Sequence, residues 1–423
     1  MRHRVGGAAD ATFRSLHSRN FRLFFFGQLV SQIGNWLTRI ASALLVLKLT
    51  DNGVAVGVLT ACQFAPVLVL GPWAGLVADR SDKHRLLMVV QSLAMLQSFA
   101  LAAIAFLENP PVAALYGVAL AGGLTTAFDN PARRAFVVEM VPADNVQNAV
   151  GLNTAMMTAS RVVGPALAGL LIHTVGYGWC FSVDGLSYFA VLASLAAMRR
   201  AELRTPPPSP RGKGQVREGL RYVLTVPELR IPLAMTAVIG TFTFNFPVVL
   251  PLLVQRSLGG DDATFTLLYS VLSVGSLIGA LVAARRVEVG VQSVVYAAFA
   301  FGLAMFALAA APSLSWVFPA GFAVGIMSVA FMTSSTAMVQ LRADPALRGR
   351  VLALQAMVVL GSTPIGGPIL GALCEWLGAR AGVLVGGVAA LAAGAGGLWT
   401  WRREDARRPA PVPGHAAIGT ATR

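Results

Sequence analysis

The sequence predicts an all-α integral membrane protein, with twelve transmembrane helices in two six-helix repeats. Three observations carry that expectation. Hydrophobic residues make up 56% of the 423-residue chain and charged residues only 12%. A soluble domain carries roughly 25% charged residues, so this chain cannot coat a water-facing surface of its size. Its apolar residues fall in stretches long enough to cross a hydrocarbon core, which takes roughly 20 residues per helix. One segment near the middle, 199–227, interrupts them with prolines and basic side chains.

The stretches lie near 21–48, 55–78, 86–107, 112–131, 146–173 and 178–198, then 231–255, 264–284, 291–310, 314–340, 351–376 and 381–401. Helices are the expected element, because backbone groups in lipid must be satisfied within the segment or within a closed barrel. The runs are longer than barrel strands and lack their alternation. The basic start, with Arg14, Arg19 and Arg22, leads into a first stretch long enough to stay in the membrane, so no cleaved signal is expected.

The net charge of +14 would suggest nucleic acid in a soluble protein, but its distribution points to a membrane. The two ends and alternate loops hold 28 of the 33 Lys and Arg residues, whereas the opposite loops hold Lys48, Arg256 and Arg380. This asymmetry predicts that both termini are cytoplasmic. Cys62, Cys180 and Cys374 sit singly in apolar runs, and the five histidines show no ligand spacing, so neither a disulfide framework nor a metal site is expected. The chain has no phosphate-binding G-x-x-x-x-G-K-[ST] loop and no catalytic His-Asp or Cys-His constellation. No enzymatic activity, cofactor or nucleic-acid partner is therefore expected.

Consecutive prolines cannot continue a helix. Pro206, Pro207, Pro208 and Pro210, set among Arg200, Arg204, Arg211, Lys213 and Arg217, predict a semi-stiff linker that can rest on anionic headgroups. The division is an N-terminal half at 1–198, a linker at 199–227, a C-terminal half at 228–402 and a disordered tail at 403–423. A shift of 203 residues lays Gly122 on Gly325, Phe128 on Phe331, Pro142 on Pro345, Gly164 on Gly367 and Pro165 on Pro368. Five identities at one offset, in stretches of equal rank, argue for duplication.

Between the second and third stretches, Gly75, Asp79, Arg80, Lys83 and Arg85 reproduce G-x-x-x-D-R-x-[GD]-[RK]-x-[RK]. The chain here resembles the major facilitator superfamily of transporters, whose two repeats flank a substrate site at the membrane midplane. The resemblance implies a gating role. Asp79, at the end of the second helix, can face a helix N-terminus, Arg133 or Arg134, while Gly75 lets helices approach closely. The alternative is that Arg80, Lys83 and Arg85 only fix topology.

The fifth stretch carries Ser160-Arg161-Val-Val-Gly164-Pro165-Ala-Leu-Ala168-Gly169, similar to the G-x-x-x-G-P-x-x-G-G signature of proton-driven exporters. Its counterpart in the eleventh holds Pro364, Gly367, Pro368 and Gly371. Small residues there permit tight packing, and the prolines can bend the helices. Together with Asn130-Pro131-Ala-Arg133-Arg134 and Arg348-Gly349-Arg350, these motifs resemble the drug:proton antiporter-3 branch, which includes macrolide and enterobactin exporters. The fourth helix lacks the mid-membrane Arg of the R-x-x-Q-G motif that other drug exporters use in proton transfer, so their coupling route does not carry over.

Ionisable residues inside membrane helices are costly and mark function. The candidates for proton coupling are Asp184 and Asp129, each paired with Arg161 or Arg39. Burial disfavours a carboxylate's charge and a nearby Arg favours it, which suits an acid that loads and releases a proton. Gln28, Gln32, Asn35, Trp36 and Arg39, with Gln63, Asn245 and Phe246, are candidates for a mostly apolar substrate cavity. The expected function is proton-driven export of a hydrophobic or amphipathic small molecule, a drug, antibiotic or siderophore-like metabolite. The proton gradient is its only driving force, and it works as a monomer among inner-membrane lipids. Uptake or lysophospholipid translocation on the same fold is the nearest alternative, and a membrane sensor or enzyme without transport is one from another class.

Overall fold

The computed structural model describes residues 12–204, 215–283, 290–344 and 347–406. Pro206 to Pro210, Pro345 and the tail prolines lie outside the described residues. Long helices account for nearly all of the described chain: α1 (Arg19–Thr50), α2 (Gly53–Arg80), α3 (Lys83–Ala105), α4 (Val112–Glu139), α5 (Val146–Thr174) and α6 (Tyr177–Ala196). After the short α7 (Gln215–Thr225) come α8 (Pro227–Phe242), α9 (Phe246–Leu252), α10 (Asp262–Ala283), α11 (Val291–Ala309), α12 (Leu314–Arg342), α13 (Arg348–Leu377) and α14 (Ala379–Asp405). Among the described residues, eleven spans are long and apolar enough to cross a membrane, α8 and α9 counting as one. The 32-residue α1 matches them in length, and its middle carries the polar stripe Gln28, Gln32, Asn35 and Arg39.

Local chemistry sets the helix ends. Asn52 caps α2 by accepting from Val54 N at 2.7 Å, and Asp82 caps α3 by accepting from Arg85 N at 3.1 Å. Gly176 and Gly378 turn the chain into α6 and α14 at φ +91° and +87°. These left-handed backbones favour glycine, and the two glycines occupy corresponding connections. The seventh span is broken at Thr243–Asn245 and ends in a π-helical turn at Leu253–Ser257.

The helices pack in two groups that make the same pairs rank for rank. In the first, α1 meets α5 and α6, α2 meets α4, and α3 meets α4 and α6. In the second, α8 meets α13 and α14, α10 meets α12, and α11 meets α12 and α14. The groups meet each other through α2 against α13 and α5 against α10. The face holding Arg14, the Ser81–Asp82 turn and the end of α14 is here the terminal face, and the other the distal face.

The core is not symmetric between those faces. One hydrophobic cluster joins both groups through Leu37 to Leu47, Leu252 to Val254 and Phe265 to Leu272 and runs on in the second group to Ile231, Val291 and Met338, and a small one sets Leu360 of α13 against Val67, Ala74 and Ala127. At the terminal face there are in addition two clusters confined to one group each, Phe21, Phe136 and Leu195 in one and Val223, Leu233 and Val351 in the other.

Three boundaries differ from expectation. α4 runs through Pro131 to Glu139 rather than stopping near 131, so Asp129 lies inside a helix and not at its end. The last helix continues to Asp405, which takes 403–405 out of the tail. There Arg403 lies 3.7 Å from the Trp399 ring centroid and Glu404 pairs with Arg230. The linker contains α7, with Val223 buried and Glu218 bound to Arg350 at 2.7 Å.

Candidate functional site

A polar cavity opens inside the first group. Ser31, Gln32, Asn35, Thr38 and Arg39 line it from α1, Gln63 and Phe64 from α2, Gln91 and Gln97 from α3, Thr125, Thr126 and Asp129 from α4, and Asp184 and Tyr188 from α6. Helical spacing explains the assembly, because residues three, four and seven apart share a face. Its volume is ≈ 80 Å³. A water needs roughly 10–15 Å³, so the cavity has room for several waters.

Asp184 is 1% exposed. Its Oδ2 accepts from Thr38 Oγ1 at 2.6 Å and from Ser98 Oγ at 2.7 Å, while Oδ1 has no protein partner. Gly34 admits the carboxyl group, since a Cβ there would lie 2.6 Å from that Oδ1. Asp129 accepts from Gln91 Nε2 at 2.6 Å and pairs with Arg133 at 3.0 Å. Arg133 also reaches Asn130 at 3.2 Å and Gln28 at 3.4 Å.

The expected acid–arginine pairs are therefore corrected. Arg39 and Arg161 are not the partners of Asp184 or Asp129. Arg39 lies over the Trp36 and Phe64 rings, 4.9 and 5.3 Å from their centroids, and Arg161 lies 6.0 Å from that of Trp36. The reason is placement on the helices: hydroxyls on α1 and α3 reach Asp184, and Arg133 follows Asp129 by one turn of α4.

Distally, Arg256 binds Asp51 and Glu375, the latter at 2.9 Å, and Glu375 also accepts from Gly53 N at 2.9 Å. Tyr177 donates to Asp262, which also accepts from Gln255 at 2.6 Å, and Lys48 sits 5.3 Å from the Tyr177 ring centroid. Nearby, Asp261 lies outside the spans. The hydroxyl and then the N–H of Thr264 hold its carboxyl below the usual carboxylate range. These distal contacts join the two groups, Asp51 and Gly53 of the first meeting Arg256 and Glu375 of the second, and Tyr177 meeting Asp262.

Residues 10–406 match the family model of transmembrane secretion effectors, a branch of the major facilitator superfamily. The chain belongs to that family. The Staphyloferrin A transporter of Staphylococcus aureus (strain NCTC 8325) is 23% identical over 84% of this chain and 90% of its own. Macrolide efflux protein A of Streptococcus pyogenes is 23% identical over 82% and 88%. The fold is similar to that of a bacterial homolog of the human lysosomal transporter Spinster, in its inward-facing and unoccupied conformation. There the TM-score is 0.68 at 16% identity, over 93% of this chain and 98% of the other.

The other expected site residues of this secretion effector divide by location. Gln32, Asn35, Arg39 and Gln63 line the cavity, and Asn35 donates to Tyr188 Oη at 3.1 Å. Trp36 packs between the groups, 5.8 Å from Tyr269. Gln28 lies outside the lining, accepting from Arg133. Asn245 and Phe246 do not belong to the cavity. The break before α9 turns both into the core, where Asn245 donates to Thr241 O at 2.9 Å and Phe246 stacks near Phe244.

In the loop motif, Lys83 pairs with buried Glu139 at 2.8 Å and Arg85 with Asp82 at 3.5 Å, while Asp79, Arg80 and Arg134 are exposed. Gly75 is corrected, because no atom lies within 4 Å of where its Cβ would be. No close helix approach requires glycine there in this conformation.

The motif glycines of α5 and α13 lie at contacts. Gly164 abuts Trp36, Gly169 abuts Thr266, Gly371 abuts Gly53, and Gly367 faces Gly57 and Thr60. Pro165, Pro364 and Pro368 lie inside unbroken helices.

The residues that sequence reasoning missed, Thr38, Ser98, Gln91 and Gln97, are uncharged. Their signal was a helical spacing of polar side chains in α1 and α3.

Proposed function

We propose that this chain is a secondary active exporter of a hydrophobic or amphipathic small molecule, working by proton antiport in the bacterial inner membrane with both termini cytoplasmic. One observation carries the coupling. A fully buried acid, Asp184, stands at a hydratable polar cavity with one carboxylate oxygen free of protein partners. A buried acid in the wall of a hydratable cavity can exchange its proton through small side-chain movements, and a carboxylate left charged in the membrane is costly. Asp129 and Arg133 at the same cavity form the next station.

The two faces supply the alternation. Polar contacts join the groups on the distal side, while the clusters around Phe21 and around Val223 each belong to one group, which supports a form closed outside and open toward the cytoplasm. The basic ends on the terminal face support that orientation. A relative named for macrolide efflux supports export, and one named as a staphyloferrin A transporter supports a small-molecule cargo. The proton gradient is the energy source in this reading, with no bound cofactor. The protein acts as a monomer, its basic linker against anionic headgroups.

The test is efflux from proteoliposomes under an imposed pH gradient, with a panel of macrolides, dyes and siderophores. Gradient-driven movement that stops with a protonophore, and falls at least about tenfold in Asp184→Asn, is the expected result. Movement that ignores the gradient would refute antiport, and accumulation in the opposite sense would favour uptake.

A further inference from the structure

We propose that Arg39 and Arg161, both beside the Trp36 ring, form a recognition site for a carboxylate on the transported molecule, with the molecule's apolar body against Trp36, Phe64 and Tyr269. The inference rests on the export reading and names the substrate class: an amphipathic organic anion carrying a carboxylate beside an aromatic or apolar portion.

The argument begins with charge. Two guanidinium groups lie within 6.0 Å of one ring centroid, so like charges meet near the middle of α1 and α5. Among the described residues, no carboxylate forms an ion pair with either of them. Asp184 is held by Thr38 and Ser98, and Asp129 by Arg133 and Gln91. Arg161 Nε is buried and has no hydrogen-bond partner. Aromatic faces recover part of the cost of such cations, but they leave the in-plane N–H edges unsatisfied. A guanidinium presents those donors as a planar fork that matches a carboxylate. Two cations without a carboxylate partner near one ring suit an anionic group on a ligand.

Location adds a second argument. Arg39 comes from α1 and lines the polar cavity, Arg161 comes from α5, and Tyr269 comes from α10 of the other group, 5.8 Å from Trp36. The site thus lies on the seam that must open and close during transport. An anion bound there is released by the same motion that separates Trp36 from Tyr269. The surrounding rings give it an apolar wall, which a small inorganic anion would not use.

The test is calorimetric binding to the purified full-length protein in nanodiscs, without any gradient. The probes are 1-naphthoate, its methyl ester and 1-naphthyl phosphate. The site predicts that naphthoate binds, that the ester does not, and that Arg39→Gln and Arg161→Gln each weaken naphthoate at least tenfold, with Arg161→Lys in between. Both Gln variants, without ligand, should melt no lower than the parent protein, because an unpaired cation has been removed. Equal binding of acid and ester, tighter binding of the phosphate, no binding by naphthoate, or Gln variants that bind normally would each overturn the assignment. Since no gradient is present, failure of antiport leaves this result untouched. Loss of efflux in Asp184→Asn with naphthoate binding intact would locate the fault in coupling and not in recognition.

Discussion

Asp184 is held by two hydroxyls whose value to the carboxyl can be measured. Thr38→Val removes the 2.6 Å donor and preserves the side chain's shape. A hydrogen bond to a charged group contributes about 1.5–3 kcal/mol, so Thr38→Val and Ser98→Ala should each move the pH midpoint of efflux by at least about one unit. A pH–rate profile checks it, and unchanged midpoints would remove these hydroxyls from the mechanism. The Asp129–Arg133 pair allows a second test. Removing one partner of a buried pair costs about 3–5 kcal/mol, whereas removing both costs less. Thermal unfolding of Asp129→Asn, Arg133→Gln and the double variant should therefore show coupling of at least about 1 kcal/mol. At this scale the polar stripe of α1 was legible because its period matches a helix. The pairing was not, since separation along the chain does not reveal that α3 and α1 supply the donors to Asp184. Asn245 and Phe246 misled because a local break in the seventh span, invisible in its apolar composition, turns them inward.

At the scale of elements, the contact of α2 with α13 depends on glycine. A Cβ on Gly57 would lie 2.5 Å from Gly367 O and 2.7 Å from Pro368 Cα, and backbone on both sides cannot yield. Gly57→Val should destabilise the protein by about 1–3 kcal/mol through overpacking, seen as a lower melting temperature. The same change at Gly75, with no neighbour within 4 Å, should leave the melting temperature within about 1 °C if this conformation dominates. A large fall at Gly75 would mean that another packing of α2 is the populated one. Most helices were readable from apolar runs of spanning length. The extension of α4 to Glu139 was hidden by Asn130-Pro131, a turn signal in water. Here that stretch stays helical, with Arg133 on Asp129 and Glu139 on Lys83. The helix α7 was hidden by the prolines before it.

For the whole molecule, the proposed cycle makes the distal ion pairs of Arg256 a bias on an equilibrium between two arrangements. Each exposed ion pair contributes only about 0–1 kcal/mol, yet Arg256 joins Asp51 and Glu375 at once. Arg256→Ala should shift the populations toward the distally open form by about twofold to tenfold. Distances between spin labels on the distal ends of α2 and α13 would report it, and an unchanged distribution would show that these ion pairs carry no bias. The two-group plan was readable from the repeat at one offset and from the interrupting linker. The asymmetry between faces was not, because a single sequence encodes both conformations and the structure displays one. The central claim is that Asp184 carries the exchanged proton. It is tested most directly by counting protons released by purified protein when the substrate found in the efflux panel is added, with a pH-sensitive dye in weak buffer. The account predicts about one proton per protein from the parent chain and none from Asp184→Asn at equal substrate occupancy. Equal release from both would contradict it.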